Sequence, residues 1–269
     1  MPTLALPPEM TESADMTVLA ALQAELSAAT NQLLATAASL SDSDVHAPSL
    51  LPGWTRGHVL THVARSGDSY VNLLTWARTG VRTPQYASSE ARAAEIEATA
   101  ARPAAWLLAD LEDGAARFAA AVRDMSAPAW SATVEGLRPP PHPAWYVLVR
   151  RLREVGFHHV DLAAGYGPAD WPDSFVRREL HDCVRTWPPG HAGIGRLRQL
   201  IADGPAVEGT PHDLLAWLTG RSGGEGVSLL PVGQSHTSDP GGASLPEPPP
   251  WLSLTAPADL PATPPKDYP

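Results

Sequence analysis

Cysteine is nearly missing from this chain: of 269 residues only Cys183 carries a thiol. A single thiol excludes an internal disulfide framework and any cysteine-built metal site, and it fits a reducing compartment. Basic residues are outnumbered, 19 Lys plus Arg against 29 Asp plus Glu, a formal charge of -10. Nucleic acid and anionic membrane surfaces would repel such a chain, so neither is an expected partner. Long apolar runs are missing as well. Mean hydropathy is -0.14, and no stretch approaches the roughly 18 residues of a membrane helix. The opening MPTLALPPEMTESAD has neither the basic nor the apolar segment of a signal peptide, so a cytoplasmic protein is expected. At about 150 residues per domain, the length suits one large domain or two modest ones.

Proline and tryptophan, by contrast, are plentiful, at 29 and nine residues. The prolines crowd the end of the chain, where helices and central strands are excluded and an extended segment is expected. Trp251 and Leu252, after three prolines, look like an anchor for it. The tryptophans read first as core, because each contributes so much buried area. Cys183 reads as a small buried thiol rather than a nucleophile.

Before about residue 165 the text is helical. Leu19, Leu22, Leu26, Leu33, Ala37 and Leu40 keep close to a 3.6-residue period from Asp15 onward. Leu51-Pro52-Gly53 is a turn, and Thr55 is a fitting N-cap for a helix reaching about Arg78. A third helical stretch spans Ser88 to Met125, with Pro103 expected to break or kink it. After the loop Pro139-Pro140-Pro141-His142-Pro143, a fourth helix runs to Gly165. The expected architecture is α-rich and has two domains. A four-helix bundle takes residues 1–165 and a small α/β (α+β) domain takes 166–252, with a Pro-rich tail over 253–269. In the small domain Ser174–Trp187 and the TPHDLLAWLTGR segment read as helices, and RLRQLIADG and GVSLLPVG as strands.

Two pairs in the bundle carry potential chemistry. His58 and His62 stand at i and i+4 on one helix, and Glu154 and His158 stand at the same spacing on another. A carboxylate and an imidazole meeting a histidine from a neighbouring helix is how bundles build interior metal sites. Two histidines and one glutamate suit a divalent ion such as zinc and leave a fourth position open. The spacing also admits plainer readings: an exposed polar face, or a surface ion pair between Glu154 and Arg150, Arg151 or Arg153.

Three segments, LPGWTRGHVLTHVARSGDSYVNLLTWARTG, QYASSEARAAEIEATAARPAAWLLADL and REVGFHHVDLAAGY, resemble the metal-binding domain of mycothiol-dependent maleylpyruvate isomerases. These enzymes belong to the DinB-like superfamily of four-helix metalloproteins. HDLLAWLTGRSGGEG and LPEPPPWL resemble the small C-terminal domain of the same family. The resemblance implies zinc ligands at His62, Glu154 and His158, with His58 beside the pocket, and a catalytic arginine at Arg92. Asp161 is implied as an acceptor behind the ligands or a helix-end cap, and His159 as pointing away. Ser66 stands where relatives carry Asn, and Gln85 precedes Tyr86 where they carry Met. Ser66, Gln85 and Tyr86 lie near the implied thiol pocket, and the two departures put the substrate in question rather than the metal.

The resemblance further implies mycothiol as a low-molecular-weight thiol cofactor and a small-molecule electrophile as substrate. A free thiol has a pKa near 8.5, and coordination to a metal can deprotonate it. The expected activity is attack by that thiolate, giving either cis–trans isomerisation of maleylpyruvate or S-transfer in a natural-product or detoxification pathway. A non-catalytic thiol- or metal-binding module is the alternative, favoured if His58 fills the fourth position.

Overall fold

A computed structural model describes residues 8–186, 207–229, 245 and 256–269. The chain forms two compact units, one built on the residues up to Tyr166 together with Ala258–Tyr268, the other on Gly167–Pro257. In the first unit the elements are α1 (Pro8–Ala38), α2 (Asp42–His46), α3 (Arg56–Thr79), α4 (Ser89–Thr99), α5 (Ala104–Arg123), α6 (Ala127–Trp130), β1 (Thr133–Val134), β2 (His142–Pro143) and α7 (Tyr146–Asp161). The long helices α1, α3, α5 and α7 pack as the four-helix bundle. No helix among the described residues is long and apolar enough to cross a membrane.

Each boundary has a local cause. Helix α1 begins earlier than Asp15 because Pro8 is tolerated at a helix start and no further proline follows it. Gly53 takes a left-handed φ of 78° in the turn before Thr55. The Thr55 hydroxyl then accepts from the His58 backbone N–H, and the His58 ring reaches back to the Thr55 N–H, a reciprocal cap. Pro103 ends the third helical stretch, splitting it into α4 and α5. The proline block between α6 and α7, expected to be all loop, contributes β2, which pairs antiparallel with β1 in the register Val134↔His142. Pro143 fits there because a two-stranded ladder is all edge.

The core follows from the apolar faces. Leu107, Leu111 and Phe118 line the inner side of α5, and Leu19, Leu22, Leu26 and Leu33 that of α1. Helix α7 is buried nearly all round, so its polar residues Arg150, Arg151, Arg153 and Asp161 lie inside the unit with its valines and leucines. Arg65 of α3 pairs with Asp110 of α5 and with Glu95 of α4.

The chain's end returns to this unit. The Trp145 indole N–H donates to the Pro261 carbonyl at 3.0 Å, and Tyr268 meets the same ring edge-on at 5.1 Å. In the second unit a 3-10 turn (Pro168–Asp170) precedes α8 (Asp173–Thr186) and α9 (Pro211–Leu218), and β3 (Val207–Glu208) pairs antiparallel with β4 (Ser228–Leu229). Cys183 is buried against Trp217 and Leu218. The expected strand RLRQLIADG and the anchor Trp251-Leu252 lie outside the described residues.

Candidate metal centre

Helices α3 and α7 lie side by side and bring three side chains to one point. The His62 Nε2 atom stands 3.0 Å from Glu154 Oε2 and 3.0 Å from His158 Nε2. His158 Nε2 is 3.4 Å from the same Glu154 oxygen. A tetrahedral ion with bonds of 2.0–2.1 Å separates its ligand atoms by about 3.3 Å, so these spacings are those a shared cation would set. The buried Glu154 Oε2 meets neither ring in hydrogen-bonding alignment and has no other donor. An acceptor so placed could take a cation. Among the described residues this is the one His/Cys/Asp/Glu group close enough to hold an ion.

The surroundings prepare each ligand. His158 Nδ1 lies 2.8 Å from Asp161 Oδ2, which fixes the ring and leaves Nε2 facing the cluster. Asp161 thus accepts from the His158 ring. The Tyr70 hydroxyl donates to Glu154 Oε1 at 3.3 Å, and burial pushes its pKa up, which keeps it a neutral donor. Trp54 sets its ring edge-on to His62 at 5.6 Å. Burial and the adjacent His158 push the His62 imidazole down to about 4, so it is neutral at physiological pH. Burial alone would raise the Glu154 carboxyl. The His158 and His62 rings outweigh it and hold Glu154 well below the usual carboxylate range. Burial likewise opposes a charge on His158, but Asp161 and Glu154 prevail and lift its pKa.

Arg92, in the first turn of α4, reaches the same place. Its Nη2 group donates to His62 Nδ1 at 2.9 Å, and its guanidinium lies 5.9 Å from the centre of the Tyr86 ring. His58 lies outside the cluster. Its Nδ1 serves the helix cap, and its Nε2 faces Glu97 at 3.3 Å. The fourth position is therefore not filled by His58. His159 points away, with Nε2 at 2.8 Å from Thr36 Oγ1 and its ring stacked on Tyr166.

Ser66 and Gln85, expected beside the thiol, are both buried with their polar atoms committed inside the protein. Ser66 Oγ accepts from Arg151 Nη1 at 2.6 Å. Gln85 donates to Ser69 and accepts from the Leu137 N–H and, at 3.3 Å, from Arg150 Nη2. The surface-pair reading of Glu154 fails, since Arg150, Arg151 and Arg153 are all buried and none forms an ion pair with it. Tyr70 and Trp54 were not anticipated from the sequence. Tyr70 lies two turns beyond His62 on the same face of α3, a spacing that could have found it.

A four-helix bundle that brings two histidines and one carboxylate together is an arrangement with which helical proteins can hold a metal. Residues 26–163, just over half the chain, match the family described as mycothiol maleylpyruvate isomerase N-terminal domain, and the chain belongs to that family. Its structure is similar to the crystal structure of the mycothiol-dependent maleylpyruvate isomerase, with 27% identity and a TM-score of 0.71 over 86% of this chain and 96% of that one. A histidine-to-alanine mutant of that enzyme is similar too, at 25% identity and a TM-score of 0.70 with the same coverage. A search of curated proteins finds no match.

Proposed function

We propose that the chain is a mycothiol-dependent isomerase of the maleylpyruvate type, with a divalent metal held by His62, Glu154 and His158. The observation that carries this reading is the convergence of those three ligand atoms within 4.8 Å of one another, with the Arg92 guanidinium beside them. The donor set suits zinc and, among the described residues, has no fourth protein ligand, as catalytic sites do. Zinc there would supply the Lewis acidity that keeps a thiol deprotonated at neutral pH. Mycothiol would supply the sulfur that adds to a conjugated cis double bond and leaves after rotation.

The chain's own groups orient and balance that chemistry. Arg92 has no acceptor, so its bond to His62 Nδ1 requires the neutral ring to keep its proton on Nε2. Were His62 to hold a metal through Nε2, its ring would carry the proton on Nδ1 instead, and Arg92 would be free to meet a substrate carboxylate or enolate. Its planar fork makes two charge-assisted bonds to such a group. Arg150 lies 4.9 Å over the Tyr70 ring. Neither Arg92 nor Arg150 has a carboxylate partner among the described residues, and this positive excess favours an anionic substrate. Tyr86 walls the Arg92 side. Gln85 acts on the pocket through Arg150, from which it accepts at 3.3 Å.

Turnover of maleylpyruvate by the zinc-loaded protein tests the reading. Activity that needs mycothiol, and falls at least a hundredfold in Arg92→Ala with metal content unchanged, supports it. A product that retains the thiol would assign S-transfer instead. Saturable mycothiol binding with no turnover of any electrophile would leave a binding module.

A further inference from the structure

A cavity opens in the bundle unit, and none of its lining residues belongs to the His62, Glu154, His158 cluster. It lies between α1, α5 and the first turns of α7, and its volume is about 390 Å³, within the range of small-molecule pockets. Leu26, Leu34, Phe118 and Leu148 form apolar walls, while Glu112 and Arg123 stand at the exposed rim. Arg151 also lines it. This guanidinium is only 2% exposed, and the proposed isomerase chemistry does not use it.

The bonding of Arg151 is lopsided. Nη1 donates to the Val63 carbonyl at 2.7 Å and to Ser66 Oγ at 2.6 Å. Nε and Nη2 meet no protein acceptor among the described residues, and no carboxylate pairs with the group. Phe118, a cavity wall, lies under the cation at 6.0 Å. A buried charge without an opposite charge is a costly arrangement unless something supplies the missing partner. Burial accordingly pushes the Arg151 pKa down.

We propose that this cavity binds a small amphipathic monocarboxylate, its anionic head on the unused N–H edge of Arg151 and its apolar body along Leu26, Leu34, Phe118 and Leu148. A planar guanidinium edge matches a carboxylate in shape and charge. The walls would remove part of an apolar body from water. The site shares no residue with the metal cluster.

Calorimetric titration of the full chain with decanoate, and with decanol as the same body lacking the charge, tests the proposal. One saturable decanoate site per chain is expected, with decanol at least tenfold weaker. Arg151→Met should weaken decanoate at least tenfold. Should that variant fail to fold, Ala119→Trp fills the cavity from the exposed side of α5 and should abolish binding without changing zinc content. Binding should survive in His62→Ala. Equal affinity for decanoate and decanol, no saturable binding, unaltered binding in Ala119→Trp, or loss of binding in His62→Ala would each overturn the proposal. So would a dimer that Ala119→Trp converts to a monomer in a protein that ignores decanoate, since the groove would then be a subunit interface.

Discussion

His142 lies wholly inside the bundle unit, its Nδ1–H donating to the Pro143 carbonyl at 3.0 Å and its Nε2 accepting from Arg150 Nη1 at 2.9 Å. Both ring nitrogens are therefore used by the neutral form. Burial and the adjacent Arg150 push its pKa down to about 3. The unfolded chain takes up a proton at this residue near pH 6.5, while the folded chain resists until about pH 3. Stability is thus full above pH 6.5 and is lost as pH falls through that window, by up to about 1.4 kcal/mol per pH unit. Denaturant unfolding at a series of pH values should show a shallower acid slope in His142→Gln than in the parent. Equal slopes would mean the ring protonates freely in the fold. The sequence placed His142 in a proline loop and gave no sign of this role, because the acceptor Pro143 and the donor Arg150 come together only through β2 and the start of α7.

At the scale of elements, α4 is fixed by what lies beneath it. A Cβ at Gly57 would overlap the Ala100 carbonyl oxygen, so the glycine lets the end of α4 close on the start of α3. The same antiparallel contact carries the His58–Glu97 and Arg65–Glu95 pairs and puts Arg92 on His62. Gly57→Ala should cost about 1–3 kcal/mol by overpacking and lower turnover by displacing Arg92. A thermal melt and kinetics at their parental values would show that α4 is not seated this way. Helices α3 and α7 were legible because the Thr55 cap and the apolar spacing are local signals. The polar partners of Ser66 and Gln85 were not, because they depend on which buried arginine each one meets. The His62, Glu154, His158 set was only partly legible from spacing. Helix faces gave two candidate pairs, and only the packing of α3 on α7 brings His62 to the cluster and leaves His58 with Thr55 and Glu97.

Across the whole molecule, the chain's end supports the unit that carries the cluster. Trp145 is 0% exposed, with Pro261 and Tyr268 against its ring. Trp145→Phe should destabilise by about 1 kcal/mol through the lost hydrogen bond to Pro261. Removing residues 258–269 should destabilise further by uncovering the indole, as a lower melting temperature. An unchanged melt would mean the segment is not bound there. The positive interior of this unit belongs to a chain of net charge -10, so the preference for anions proposed for the site would be set locally by Arg92 and Arg150. The central claim is that one cation is gripped by His62, Glu154 and His158. Zinc content per chain, measured on the purified parent, His62→Ala and His58→Ala proteins after equal loading and desalting, tests it most directly. The account predicts one ion in the parent and in His58→Ala and none in His62→Ala, with helical content the same in all three; full occupancy in His62→Ala, or loss in His58→Ala, would contradict it.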